Sequence, residues 1–296
     1  MKSFKTTLAA IVLASAFVAA PAVPAFAADT LRESGRALHE KSAGAVVSLK
    51  IVLTTSYAFG GQSSNDQESR DEALATVISP EGLTVTALSS VDPANMMMRR
   101  YASRMGPGDK FETKVKDLKI ITADNQEIPA MVVLRDPDLD LAFIRPIEKP
   151  KAPMAFVDLS KSVAPKMLDG AITLGRMGEL AKRTASAMTG EIQGIVEKPR
   201  TFYIPSAELA SAGLGTPVFL ADGSPIGLVM LRMNPSTDED APGPSAMPIV
   251  IPGADIMDIA KQAPEKAPEP PPAEAAPATD AAAAEPAAGD APAATE

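Results

Sequence analysis

The chain has no cysteine, no tryptophan and a single histidine, His39, and aromatic residues make up only 4% of its 296 positions. Without cysteine there is no disulfide framework, so stability has to come from a packed core. With one histidine and no thiolate, the usual zinc and haem ligand sets are missing, and no cofactor is expected. Basic residues are also in short supply: the formal charge is −9 and the pI about 4.9. That balance argues against a nucleic-acid partner or an anionic membrane surface, both of which select basic patches. Arg99-Arg100 is the only basic pair with company, and a solvated loop explains it. No apolar run reaches the roughly 20 residues that a confident membrane span needs.

The two ends differ from the middle. Lys2 and Lys5 precede an apolar run from Leu8 to Ala20, and Ala25-Phe-Ala27 forms a small-x-small cleavage site before Ala28. Residues 1–27 therefore read as a secretory signal peptide. An exported, membrane-free mature protein is expected, periplasmic or extracellular. Export without cysteine fits a bacterial periplasm or cell exterior. At the other end, residues 263–296 collapse to alanine, proline and acids, as in Pro268-Glu-Pro-Pro-Pro-Ala273. Such a composition has no side chains from which to build a core and reads as a disordered tail or spacer. Residues 28–42 read as an N-terminal helix, with Leu31 and Leu38 set among charges and Gly44 as its stop. His39 lies on this helix as a solvated side chain. Residues 43–262 suit one domain.

Within that domain the periodicity is of the β kind. Ala45–Thr54 alternates apolar residues with Ser, Lys and Thr. Further strands are expected at 75–79, 83–87, 118–123, 130–134, 141–146, 171–174, 217–220, 226–232 and 247–251, joined by turns such as Ser79-Pro-Glu-Gly82 and Ala221-Asp-Gly-Ser224. A closing helix is expected from Gly253 to Ala263. Ser56–Glu72 and Pro93–Lys110 read as long irregular stretches. Many short strands with helices only at the ends indicate an all-β barrel or sandwich.

Three segments then give the chain a family likeness. Ile78-Ser-Pro-Glu-Gly-Leu-Thr-Val-Thr86 resembles the strand–turn–strand that leads into the catalytic histidine of trypsin-like proteases of the HtrA/Deg family. Arg135-Asp-Pro-Asp-Leu-Asp-Leu-Ala142 resembles the surroundings of their catalytic aspartate. Gly213-Leu-Gly-Thr-Pro-Val218 is similar to their nucleophile loop, Asn-Ser-Gly-Gly-Pro-Leu. The likeness covers residues 43–262 and implies a two-barrel, trypsin/chymotrypsin-like fold. In its frame the histidine position falls on Ser89, or on Ser90 if the register slips by one. The aspartate falls on Asp140 and the nucleophile on Leu214. The family's PDZ module is expected to be lacking, because the closing helix runs directly into the tail.

The departures carry the chemistry. Leucine has no nucleophilic atom, and a serine hydroxyl neither accepts a proton usefully near pH 7 nor swings like an imidazole. If the frame holds, a Ser-His-Asp mechanism has lost two members, and Asp140 is left with a structural role in which Ser89 or Ser90 supplies a donor. The Gly213-Leu214-Gly215 turn either keeps amides aimed into the old site, able to bind a carbonyl or carboxylate, or is an ordinary tight turn. The expected function is that of an exported pseudoprotease that binds a protein or peptide or serves as a scaffold. The competing expectations are a hydrolase using displaced residues such as Ser89, Ser90 or Ser211, and a thioether site for Cu(I) at Met96–Met98 with Met105. Ser236–Asp240 is an acidic loop without calcium-loop spacing.

Overall fold

The computed structural model describes residues 26–59, 62–63, 66–101, 105–106, 108–234 and 245–268. All but the last two residues of the expected signal segment, the Ser236–Asp240 loop and most of the 263–296 tail lie outside them. The chain forms α1 (Phe26–Ser42), β1 (Val46–Phe59), β2 (Gln62–Ser63), β3 (Gln67–Val77), β4 (Thr84–Ala87), α2 (Leu88–Val91), α3 (Pro93–Tyr101), β5 (Lys110–Ile121), β6 (Glu127–Asp136) and β7 (Leu141–Pro146). It continues with β8 (Gly170–Arg176), β9 (Ala185–Val196), β10 (Phe202–Pro205), α4 (Ala207–Ala210), β11 (Pro217–Leu220), β12 (Pro225–Asn234), β13 (Ser245–Pro252) and α5 (Gly253–Ala260). Strands β1-β3-β4-β7-β6-β5 close into one antiparallel barrel, the ring completed by β1 pairing with β5. Strands β10-β13-β12-β11-β8-β9 close into a second. This is the double-barrel, trypsin-like architecture that the resemblance implies.

The strands form where the apolar pattern demands burial. In β7 the side chains from Leu141 to Ile144 are all fully buried, as a strand walled on both faces requires. Val85, Leu141 and Phe143 of the first barrel share one apolar cluster with Leu174, Leu228, Met230 and Ile251 of the second. The two barrels are therefore joined through a common core rather than a polar seam. A buried guanidinium adds a directional tie: Arg176, at the end of β8, donates from Nε to Val46 O at 2.9 Å, from Nη1 to Arg183 O at 2.9 Å and from Nη2 to Ala43 O at 3.3 Å. Helix α1 packs on β8 and β9, with Leu31 against Gly170, and α5 packs on β12.

Several expectations need correcting. Ser56–Glu72 is not an irregular stretch. β1 runs on to Phe59 and β3 starts at Gln67, and β1 pairs along its length with β3 on one side and β5 on the other. The outer half of β3 is exposed on both faces, so its ladder is held by backbone hydrogen bonds with no apolar alternation to betray it. Its charged residues also blunt an edge that β4 covers only at Thr76 and Val77. Helices are not confined to the ends, since α2, α3 and α4 interrupt the strands. Pro93 opens α3, a position where its missing N–H costs nothing.

A second tie crosses between the barrels at the surface. Arg183, beyond β8, donates from Nε to Glu72 Oε1 of β3 at 2.8 Å, with both side chains largely covered. Arg183→Ala is expected to lower stability by about 1 kcal/mol in dilute buffer. Urea unfolding with and without 1 M salt checks this, and the difference should shrink as the charges are screened.

Candidate functional site

Strand β4 delivers the chain into α2, and the turn between β6 and β7 faces it. That turn is set by Asp136, whose Oδ1 accepts from the N–H groups of Asp138 at 2.9 Å and Leu139 at 3.0 Å. The chain then passes through Asp140 in a left-handed conformation, φ +56°, which aspartate tolerates better than most side chains. Three hydrogen bonds close the two segments together. Leu88 N–H donates to the Asp140 carbonyl at 2.8 Å, Ser89 N–H to Asp140 Oδ1 at 2.7 Å, and Ser89 Oγ–H to Asp140 Oδ2 at 2.9 Å. Both carboxylate oxygens thus take a donor from one residue, and the serine that meets Asp140 is Ser89.

The third segment is built differently. Between α4 and β11, Gly213 and Gly215 adopt φ +107° and +80°. Gly213 N–H donates to Ala210 O at 3.3 Å and Gly215 N–H to Val229 O at 2.7 Å. Both glycine amides are therefore taken by backbone carbonyls. Thr216 Oγ–H donates to Gly213 O at 2.7 Å, and Thr76 Oγ–H, from β3, donates to Gly215 O at 2.6 Å. Leu214 is partly buried and packs against apolar clusters on both sides. The turn acts as a clasp between the barrels.

The structure brings Ser89 and Asp140 into one cavity of about 410 Å³ between the barrels, and Leu214 does not line it. Leu88, Met96 and Leu139 form its first-barrel wall, and Leu231, Met233 and Ile249 its second-barrel wall. Asp92, Asp138 and Arg232 add charged groups to the lining, with the Arg232 guanidinium over the Phe202 ring at 4.8 Å from its centroid. A concave, mainly apolar space with a few polar groups is suited to holding a side chain or short chain segment. The cavity was not foreseen from sequence, because its second-barrel wall comes from β12 and β13, read there only as strands.

The remaining sequence candidates sit elsewhere. His39 lies in a shallow recess with Arg32 and Arg36 of α1 and Ala187 and Thr189 of β9. Ser211 Oγ–H donates to Glu208 O at 2.7 Å and lies 3.3 Å from Met188 Sδ. Met96 lines the cavity, whereas Met98 is exposed. Among the described residues, no cluster of three or more histidines and acids is placed to hold a metal ion. None of the described helices is long and apolar enough to cross a membrane.

These features define a double-barrel chain of the trypsin class. A family model, the trypsin-like peptidase domain, matches residues 73–228, just over half of the 296 residues and inclusive of Ser89, Asp140 and Leu214. The chain belongs to the trypsin-like peptidase domain family. No curated protein matches it.

Proposed function

We propose that this chain is an exported, HtrA-like pseudoprotease that holds a peptide or an unfolded protein segment in the cavity between its barrels and does not cut it. The observation that carries the reading is the bonding of Ser89 to both carboxylate oxygens of Asp140. In a working triad the aspartate orients an imidazole, and the imidazole takes the proton of the nucleophile. Here the partner of the aspartate is a hydroxyl and an amide. Its only other triad position carries Leu214, which has no atom to attack with. The signal-like residues 1–27 support a periplasmic or extracellular location.

Fluorescein-labelled casein tests both halves of the proposal. The wild-type chain should raise its polarisation without releasing fragments. Met233→Glu, which places a charge in the second-barrel wall, should weaken that binding by about tenfold, the worth of one buried apolar side chain. Fragment release by the purified wild type, lost in Ser89→Ala or Ser211→Ala, would establish a displaced-serine hydrolase instead. Polarisation unchanged by both wild type and Met233→Glu would remove the binding role.

A further inference from the structure

Two neighbouring apolar side chains stand out on the surface of the second barrel. Met167 and Leu168, in the turn that leads into β8, are 64% and 67% exposed. Leu168 also holds φ +68°, a left-handed conformation that strains a leucine. It takes the third place of the four-residue turn 166–169, where glycine or asparagine is usual. The turn is nonetheless firmly closed. Asp169 N–H donates to Lys166 O at 3.1 Å, and Lys166 N–H donates to Asp169 Oδ2 at 2.7 Å. Leu168 N–H donates to Ile192 O at 2.8 Å and Ile192 N–H to Asp169 O at 3.1 Å, which fixes the turn on β9. A strained backbone thus holds two apolar side chains out of the core, and strain of this kind points to a contact made outside the fold.

We propose that this turn is a knob that one copy of the chain seats in the interbarrel cavity of a second copy. The inference rests on the reading of that cavity as a holder of chain segments, and it names the occupant. The cavity supplies the apolar walls that Met167 and Leu168 lack, from Leu88, Met96 and Leu139 on one side and Leu231, Met233 and Ile249 on the other. Its charged lining sets Asp92, Asp138 and Asp140 against Arg232, so acids outnumber bases there. The knob brings the opposite sign: the Lys166 side chain is exposed, while the Asp169 carboxylate is folded back onto the Lys166 amide. The same turn cannot enter the cavity of its own chain, because its bonds to Ile192 hold it on β9, which takes no part in the lining. A preformed turn also has little freedom left to lose on docking. A knob meeting a cavity elsewhere on an identical chain makes a head-to-tail contact, which propagates from copy to copy instead of stopping at a symmetric pair.

Because the chain has no cysteine, introduced thiols can be paired without interference. A Leu168→Cys chain, its thiol activated as a mixed disulfide with 2-thiopyridine, is added to a Met233→Cys chain, and the released thiopyridone is followed by absorbance. The control is activated Leu180→Cys, which replaces a fully exposed leucine in the turn between β8 and β9. Docking raises the local concentration of the two sulfurs, so the Leu168→Cys pair should couple at least about tenfold faster than the control pair. Equal rates would mean random collision and would overturn the contact. Leu168→Gly removes the side chain and suits the left-handed backbone, so its thermal midpoint should hold. In sedimentation across a dilution series, the average mass of the wild type should rise with concentration, and Leu168→Gly should weaken that association by about tenfold, the worth of one apolar side chain. A wild type that stays monomeric, or an association that the glycine leaves unchanged, overturns the proposal. Labelled casein keeps this reading apart from the one it rests on. Casein binding without the fast cross-link removes the self-docking and leaves the peptide-holding role in place, whereas the fast cross-link without casein binding does the reverse.

Discussion

Gly215→Ala will destabilise the chain by about 2–5 kcal/mol, a left-handed backbone penalty combined with an overpacking penalty. The residue sits at φ +80°, and a Cβ added there would stand 2.6 Å from Leu74 O, with Thr86 Cα at 3.3 Å. Those are backbone atoms of β3 and β4, and they cannot easily give way. Leu74 O accepts from Thr86 Oγ at 2.7 Å, while Gly215 is itself pinned by Val229 O and the Thr76 hydroxyl. The clash therefore pushes the second barrel's turn off the first barrel. Gly108 supplies the control, with φ +100° and nothing within 4 Å of an added Cβ. Gly108→Ala should show the backbone term alone, about 1–2 kcal/mol. Urea midpoints of the two variants measure the difference. If they fall together, contact between the turn and β3 plays no part.

That contrast bears on how much of this molecule a reader of the sequence can reach. Where a strand is walled on both faces, burial dictates its composition, and Leu141–Pro146 and Pro217–Leu220 have the same limits in sequence and structure. Where a strand is held by its neighbours' backbones, the side chains are free to be polar, and the outer half of β3 looks like a loop. β10 is missed for a related reason: four residues ending in proline give no period, and their place in the barrel depends on β9 and β13. At the site, segment order points to Ser89 and Asp140, which the structure bonds to each other, whereas Leu214 does not line their cavity. The direction of an amide is a property of φ and ψ, however, so only coordinates reveal that the Gly213 and Gly215 N–H groups turn inward.

Asp140→Ala is the second large change expected, at about 3–4 kcal/mol. Hydrogen bonds to a charged group are each worth about 1.5–3 kcal/mol, and this carboxylate accepts two from Ser89. Alanine also suits φ +56° less well than aspartate. Asp140→Asn separates the structural role from a catalytic one. Asparagine tolerates the left-handed conformation, and its carbonyl can still accept from Ser89 N–H. Its amide can donate to a Ser89 hydroxyl turned to accept. Its cost should fall to about 1 kcal/mol, and casein binding should persist. A carboxylate that supported an imidazole-like base would behave otherwise, because the charge itself would be needed and asparagine would abolish turnover while sparing the fold. Ser89→Ala removes only the hydroxyl donor and should cost about 1–2 kcal/mol. Combined with Asp140→Asn it should show a coupling of about 1 kcal/mol, since the two residues act through one shared bond. Additive losses in that cycle would mean that Ser89 and Asp140 do not hold each other. The bond between them would then be incidental to the fold.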